Sequence, residues 1–497
     1  MKPRAVLAID QGTTGTRAIL FDQNASFLSS AYQEFSQFYP QPGWVEHDPL
    51  EIWKSCRAVI SQALTKVRLD ASRIETIGIT NQRETTILWD KTTGKPVHRA
   101  IVWQDRRTAH LTSALRQAGC EPVIREKTGL VLDPYFSASK IRWLLEHIPG
   151  LRRKAERGKI AFGTIDTWLL WNLTGGKVHS TDFTNASRTL LFNIKTRQWD
   201  PALLKIFKIP EAILPEVKDS GACFGYTFGQ PPLGGGTAIN AILGDQQAAL
   251  YGQSCYEKGR AKNTYGTGCF LMMNMGRKFI KPPFGLLSTL ACDGEGKPVY
   301  ALEGAIFIAG AAIQWLRDGL GFFRHAGETE KLARSVNDSG GVVVIPALAG
   351  LGSPYWNPHV RGMITGLTRG TRREHIIRAT LESLAHQTAD VMELMEKYSG
   401  HSVKELKVDG GATANHWLMQ YQADLLNLPV LVSERAESTA WGAAKLAGHS
   451  VRFWPSLKRI DERQKYRKCA PKMKSAERKK SRLIWKQEIE RLLFQPT

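Results

Sequence analysis

The chain has 497 residues, 42% of them hydrophobic and 23% charged, which excludes disordered, collagenous and coiled-coil classes and leaves room for two to four domains. It carries 67 Lys+Arg against 46 Asp+Glu, a net charge of +21. No run approaches the roughly 18 uninterrupted apolar residues of a membrane span, the first residues lack the apolar core of a signal peptide, and the seven cysteines form no Cys-x-x-Cys pair. A cytoplasmic protein with reduced thiols is expected, without structural zinc.

In chain order, aliphatic runs at residues 5–9, 17–21 and 27–35 are closely spaced, with Gly and Asn between them, and predict an antiparallel meander rather than a βαβ unit. The first turn reads Asp10-Gln11-Gly12-Thr13-Thr14-Gly15-Thr16-Arg17. A helix is predicted over 48–67: Asp48 suits the N-cap, Pro49 the first turn, and Trp53, Val59, Ile60, Leu64 and Val67 share a face. Strands follow at 77–80 and 86–89. The second half repeats the theme, with a strand at 261–265, the turn Gly266-Thr267-Gly268, and strands at 270–275, 286–291 and 299–302. Helices over 306–318 and 373–398 come next, then a strand at 406–408 that ends in Asp409-Gly410-Gly411. Two halves that each open on strands broken by a Gly/Thr hairpin amount to an internal duplication. They predict two α/β lobes, 1–250 and 251–449, with both hairpins facing the cleft between them, followed by a tail, 450–497.

The tail is the most basic part of the chain. From Arg452 onward it holds fifteen basic and five acidic side chains, ten of the 21 net charges. Such a patch could attract polyanions, but Leu483, Ile484, Ile489 and Leu492 recur at helical spacing, and a solvated helix packed on the second lobe accounts for the pattern more simply. No specific nucleic-acid partner is expected, only weak electrostatic association with polyanions.

The first hairpin concentrates glycines, hydroxyls, one acid and one base. Glycines let backbone N–H groups approach a phosphate, Thr13 and Thr14 add donors, Arg17 adds charge, and Asp10 could hold a metal through water. The loop is neither a Walker A nor a Rossmann fingerprint. An ordinary hairpin would use the same residue types, but the echo at Thr264-Tyr265-Gly266-Thr267-Gly268 favours the phosphate reading. Cys269, beside that echo, is the one cysteine with a candidate site position.

The order of these segments, with Gly78-Ile79-Thr80-Asn81-Gln82-Arg83-Glu84-Thr85, Val102-Trp103-Gln104-Asp105, Asp133-Pro134-Tyr135-Phe136 and Gly244-Asp245-Gln246-Gln247 between them, resembles the FGGY carbohydrate kinases over about residues 4–449. The resemblance implies two ribonuclease H-like lobes of the actin/hexokinase/Hsp70 type, MgATP as phosphoryl donor and glycerol as acceptor. It implies Asp245 as general base and Arg83, Glu84, Trp103, Tyr135, Asp245, Gln246 and Phe270 as the acceptor pocket. On the nucleotide side it implies Thr13, Thr14, Gly15, Arg17, Thr267, Gly310, Gln314, Gly411 and Asn415, with Asp10 toward Mg2+, in a homodimer or homotetramer. The residue types suit a small triol, which needs a hydrogen bond for each hydroxyl and an apolar wall for its carbons.

Three departures stand out, one being that the basic tail has no evident counterpart in the family. Many members of the family have Ser where this chain has Gly15. Leu233-Gly234-Gly235-Gly236-Thr237 lacks the arginine through which some relatives bind fructose 1,6-bisphosphate, so little response to that compound is expected. The rival readings are a kinase for another polyol or sugar, a nucleotide-driven switch of the actin/Hsp70 type, and a polyanion-binding protein.

Overall fold

The aliphatic runs of the first half become strands β1 (Ala5–Gln11), β2 (Gly15–Asp22) and β3 (Phe27–Glu34) in a computed structural model that describes residues 4–494 apart from 230, 358 and 436. All three pair antiparallel, with Asp10 opposite Arg17 and Arg17 opposite Tyr32. Helix α1 (Pro49–Lys66) then crosses back. Asp48 caps it by accepting the Leu50 N–H at 2.8 Å, and it buries Ile52, Cys56, Val59, Ile60 and Leu64, while Val67 lies just past its end, exposed. The crossover sets strand β4 (Ile74–Asn81) parallel to β1, and β5 (Ala238–Gly244) lies parallel to β4. The sheet is therefore mixed, a meander on one side and a parallel pair on the other, with the short strand Gly225–Tyr226 at its edge. Helix α2 (Asp245–Gly252) leaves the end of β5 directly.

The second lobe repeats this plan. Strands β6 (Ala261–Tyr265) and β7 (Cys269–Gly276) form its hairpin. The next strand in sequence, β8 (Leu287–Cys292), is an outer addition, and β9 (Pro298–Ile306) pairs with β7 in the position β3 occupies in the first lobe. Because β9 runs through Ile306, helix α3 begins only at Gly310 (Gly310–Asp318), four residues later than the spacing suggests. Helix α4 (Arg373–Ser399) crosses back to β10 (Leu406–Asp409), parallel to β6. Helix α5 (His416–Leu426), strand β11 (Val430–Ser433) and helix α6 (Ser438–Ser450) complete the repeat.

The lobes share one core. The largest cluster of buried apolar side chains joins Val6, Ala8 and Phe21 of the first sheet to Leu271, Leu302 and Val408 of the second. Helix α6, although it follows a strand of the second lobe, packs on β1, β4 and β5 of the first and crosses α2. The tail is part of the second lobe rather than an appendage. Its strand β12 (Tyr466–Cys469) pairs antiparallel with β11, and Asp461 accepts from Ser254 at 2.6 Å and binds Lys445 and Tyr256. Helix α7 (Ser475–Leu493) buries Arg482, Trp485, Ile489 and Leu492, whereas Leu483 and Ile484, expected in the interface, face outward at 57% and 40% exposure. Among the described residues no helix is long and apolar enough to cross a membrane.

Candidate active site

The two hairpins and the ends of β4 and β5 converge on the cleft between the lobes. At the first hairpin the Gly12 N–H donates to the Gly15 carbonyl at 2.9 Å, closing the turn and leaving Thr14 exposed. The Thr13 hydroxyl accepts the Trp103 indole N–H at 3.0 Å, tying the loop to a residue expected in the acceptor pocket. Arg17 pairs with Glu437, the residue preceding α6, so the expected phosphate ligand is engaged by a carboxylate of the other lobe. Asp10 lies across the ladder from Arg17. Enclosure by the cleft walls pushes its carboxyl up to about 7, with Glu437 and Asp245 adding to the effect and Arg17 opposing it.

At the second hairpin the carbonyl of Thr267 accepts the N–H groups of Ala309 and Ala311 at 2.8 and 3.1 Å, and that of Gly266 accepts from Gly310 at 3.0 Å, which seats the start of α3 on the turn. Thr267, Gly310, Gln314, Gly411 and Asn415 line one cavity of about 390 Å³. The Asn415 carbonyl oxygen caps α5 by accepting the Leu418 N–H at 2.9 Å, and its amide donates to Thr329 at 3.2 Å. Cys269 is buried beneath the hairpin, where burial raises its thiol pKa. It is a packing residue without thiolate character.

The residues expected on the acceptor side form a charged cluster. Glu84, fully buried, adopts φ 63°, a left-handed value, and its Oε1 lies 3.8 Å from the Nε of its neighbour Arg83. The Arg83 Nε lies 3.1 Å from Asp245 Oδ1, and its two terminal nitrogens donate to Glu303 at 2.7 and 3.2 Å. Arg188 donates to Glu84 at 2.7 Å and to Glu303 at 2.9 Å. Two arginines and two glutamates thus alternate in a fully buried network, with Glu303 on β9 of the second lobe and the other three in the first. Burial works to raise the Glu303 carboxyl, but Arg188 and Arg83 outweigh it and hold the group at about 2. Burial also raises Glu84, against Arg188 and Arg83.

Asp245 opens α2, one-third exposed to the cleft, and accepts the Gln246 N–H at 2.6 Å. Lys262, buried on β6, donates to Gln246 Oε1 at 2.6 Å and to Thr264 at 2.8 Å. Burial lowers its pKa to about 8, with Asp409 and Asp245 opposing. Trp103 and Tyr135 meet edge to face with centroids 5.6 Å apart. The loop that carries Tyr135 is fixed by buried Lys140, whose ammonium donates to the carbonyls of Pro134, Tyr135 and Phe136 at 2.6, 2.7 and 3.1 Å. Phe270 is half-buried on β7, opposite Thr264.

Sequence reasoning missed Arg188, Glu303, Lys262, Lys140 and Glu437. Glu303 did leave a signal, as a lone charge in the nine-residue strand Pro298–Ile306, all of it buried. An acid at such a position must find a buried cation.

Residues 5–252 match the N-terminal domain, and 261–451 the C-terminal domain, of the FGGY family of carbohydrate kinases. The chain is 53% identical over 489 residues to a glycerol kinase of Alkaliphilus metalliredigens, covering 98% of both chains, and equally to glycerol kinase 2 of Thermotoga maritima. It superposes on the crystal structure of Plasmodium falciparum glycerol kinase with ADP at a TM-score of 0.93, with 36% identity and 99% of each chain covered.

Proposed function

The chain belongs to the FGGY family of carbohydrate kinases, and we propose that it phosphorylates glycerol at the expense of ATP, giving sn-glycerol 3-phosphate, with Asp245 as general base. The observation that carries the reading is the 3.1 Å contact between buried Arg83 and the one-third exposed Asp245 at the mouth of the charged pocket. The Arg83 Nε occupies one carboxylate oxygen of Asp245 and leaves the other for the terminal hydroxyl of the acceptor, whose proton it takes. Glu84, with one oxygen held by Arg188, accepts from a second hydroxyl, and Trp103, Tyr135 and Phe270 face the carbon chain. Gln246, held by Lys262, lies beside the base.

The nucleotide lies with its base in the cavity of Gly310, Gln314, Gly411 and Asn415 and its phosphates between the two hairpins, near Thr13, Thr14, Gly15 and Thr267. Arg17 exchanges Glu437 for phosphate oxygens. Among the described residues no group of three or more acidic, His or Cys side chains converges as a metal cage. One carboxylate with phosphates and waters is the ordinary mode of Mg2+, and Asp10, near the end of β1 at the foot of the first hairpin, its carboxyl raised by burial and by Glu437, fits that role. The ion would neutralise phosphate charge. The chain's own contribution is to position the donor and acceptor and to exclude water between the lobes, since phosphoryl transfer needs little covalent help. The same reading takes the lobes to divide near residue 250, the first holding the polyol and the second the base of the nucleotide, in a cytoplasmic homodimer or homotetramer.

The test is a panel of polyols and pentuloses with ATP, following phosphorylated product. Glycerol should be the best substrate, and 1,2-propanediol should fall behind it by about 10⁴-fold, because the hydroxyl it lacks leaves a buried charge unpaired. More efficient phosphorylation of xylulose than of glycerol would refute the pocket reading.

A further inference from the structure

Gly15 opens β2 in an ordinary strand conformation, without the left-handed φ that would call for glycine. What occupies the space beside it is the ring of Tyr32. A Cβ built on Gly15 would lie 2.6 Å from Cε2, Cζ and the hydroxyl of the Tyr32 ring, far inside contact distance. Tyr32 stands on β3 directly opposite Arg17. Its ring lies 5.1 Å from the Arg17 guanidinium, and its hydroxyl lies 3.5 Å from the Thr14 hydroxyl. The phenol therefore fills the space into which a serine at position 15 would project, and it keeps 45% exposure toward solvent.

We infer that Tyr32 is a phosphate-binding residue of the first hairpin, supplying from β3 the hydroxyl donor that position 15 lacks and a ring face that supports Arg17. The inference rests on the reading of this hairpin as the nucleotide phosphate cradle. The chemistry matches: a phenol donates one O–H to a phosphate oxygen, as a serine hydroxyl would. The ring face meanwhile holds a guanidinium in place by cation–π attraction. With Arg17 supported from below, its release from Glu437 does not leave it disordered.

Calorimetric titration of the full chain with ADP tests this without relying on turnover. Tyr32→Phe keeps the ring and removes only the donor, and it should weaken ADP binding about tenfold, the scale of one hydrogen bond to a charged group. Tyr32→Ala should lose more, and adding Gly15→Ser to Tyr32→Ala should recover at least the share that Tyr32→Phe loses, because the space is then free and the hydroxyl restored. ADP affinity of Tyr32→Phe within about twofold of wild type would overturn the assignment. Arg17→Gln separates the two readings. If it weakens ADP while Tyr32→Phe does not, only the role of Tyr32 falls. If neither variant changes ADP affinity, the hairpin is not the phosphate cradle.

Discussion

Asp245 and Glu303 hold Arg83 from opposite sides, and in the proposed acceptor pocket one stands at the mouth and the other at the base. Asp245→Asn keeps the shape and removes the proton acceptor, so turnover should fall by about 10²–10⁴-fold while ADP binding, measured by titration, stays intact. Wild-type turnover in the folded variant would remove Asp245 from the chemistry. Glu303 receives both Arg83 and Arg188, so Glu303→Gln leaves two buried cations short of a shared counter-charge and should cost about 3–5 kcal/mol at neutral pH. The sign of the pH dependence follows from its carboxyl, held at about 2 against an ordinary 4.5. Its contribution is complete above 4.5 and drains away as pH falls toward 2. The stability gap between wild type and Glu303→Gln, read from urea melts, should therefore be widest at neutral pH and narrow below pH 4.5; a gap independent of pH would show that Glu303 is not ionised in the fold. Misplacing Arg83 should also raise the KM for glycerol more than that for ATP. The residues that would touch substrate were legible because each sits in a short ordered motif. Arg188 and Glu303 were not, because their meaning lies in a pairing across 115 positions of sequence that only the folded chain makes.

At the scale of elements, the hairpins and the start of α1 were legible from local chemistry: glycine and threonine at the turns, and Asp48 with Pro49 at the head of α1; the start of α3 was not, because β9 runs on through Ile306. Pairing was less so. The parallel side of each sheet depends on crossovers by α1 and α4, and a run of apolar residues carries no sign of which strand lies beside it. Helix α7 shows a second limit. Its position followed from spacing, but the buried stripe is Arg482, Trp485, Ile489 and Leu492, because a polar site on α4 selects it. Asp390 accepts from Arg482 at 2.6 Å and from the Trp485 indole at 2.7 Å, and Trp485 stacks on His386 at 5.0 Å. Trp485→Ala should consequently destabilise by about 3–5 kcal/mol, seen as a lower thermal midpoint. Replacing Lys479, Lys480 and Lys486 with Gln should leave the glycerol and ATP constants unchanged, since the Lys486–Glu393 contact at 2.9 Å is half-exposed and such pairs contribute at most about 1 kcal/mol. If the triple variant lost activity while remaining folded, α7 would have to communicate with the cleft.

At the scale of the molecule, the duplication explains both the two lobes and the helix crossing that joins them. Each half ends its sheet in a helix, α2 or α6, and the two helices cross between the lobes with almost no space between their backbones. A Cβ added to Gly442 would lie 1.8 Å from the Ala248 carbonyl oxygen, and one added to Gly252 would lie 2.2 Å from that of Ser438. Neither obstacle is a side chain that could rotate away, so the two helices would have to part. Around this crossing Trp441 packs edge to face on Phe21 at 5.0 Å, and Arg435 donates to the Ala25 carbonyl at 3.1 Å, so any parting would be felt in the first sheet. Glu437 and Asp245 lie at the heads of α6 and α2, and the helices that meet at Gly442 also carry the Arg17 partner and the proposed base, Asp245, into the cleft. Gly442→Ala should accordingly destabilise by about 3 kcal/mol or more, at the upper end for overpacking. At temperatures where the variant remains folded, kcat should fall along with KM changes for both substrates, because the helix crossing sets the distance between the base and the donor hairpins. Circular dichroism melts with steady-state kinetics at 15–20 °C below the midpoint separate the two effects. A Gly442→Ala protein with an unchanged midpoint would mean that α2 and α6 are not in backbone contact. One that was destabilised but kinetically normal when folded would mean that the crossing holds the lobes together without setting the geometry of the cleft.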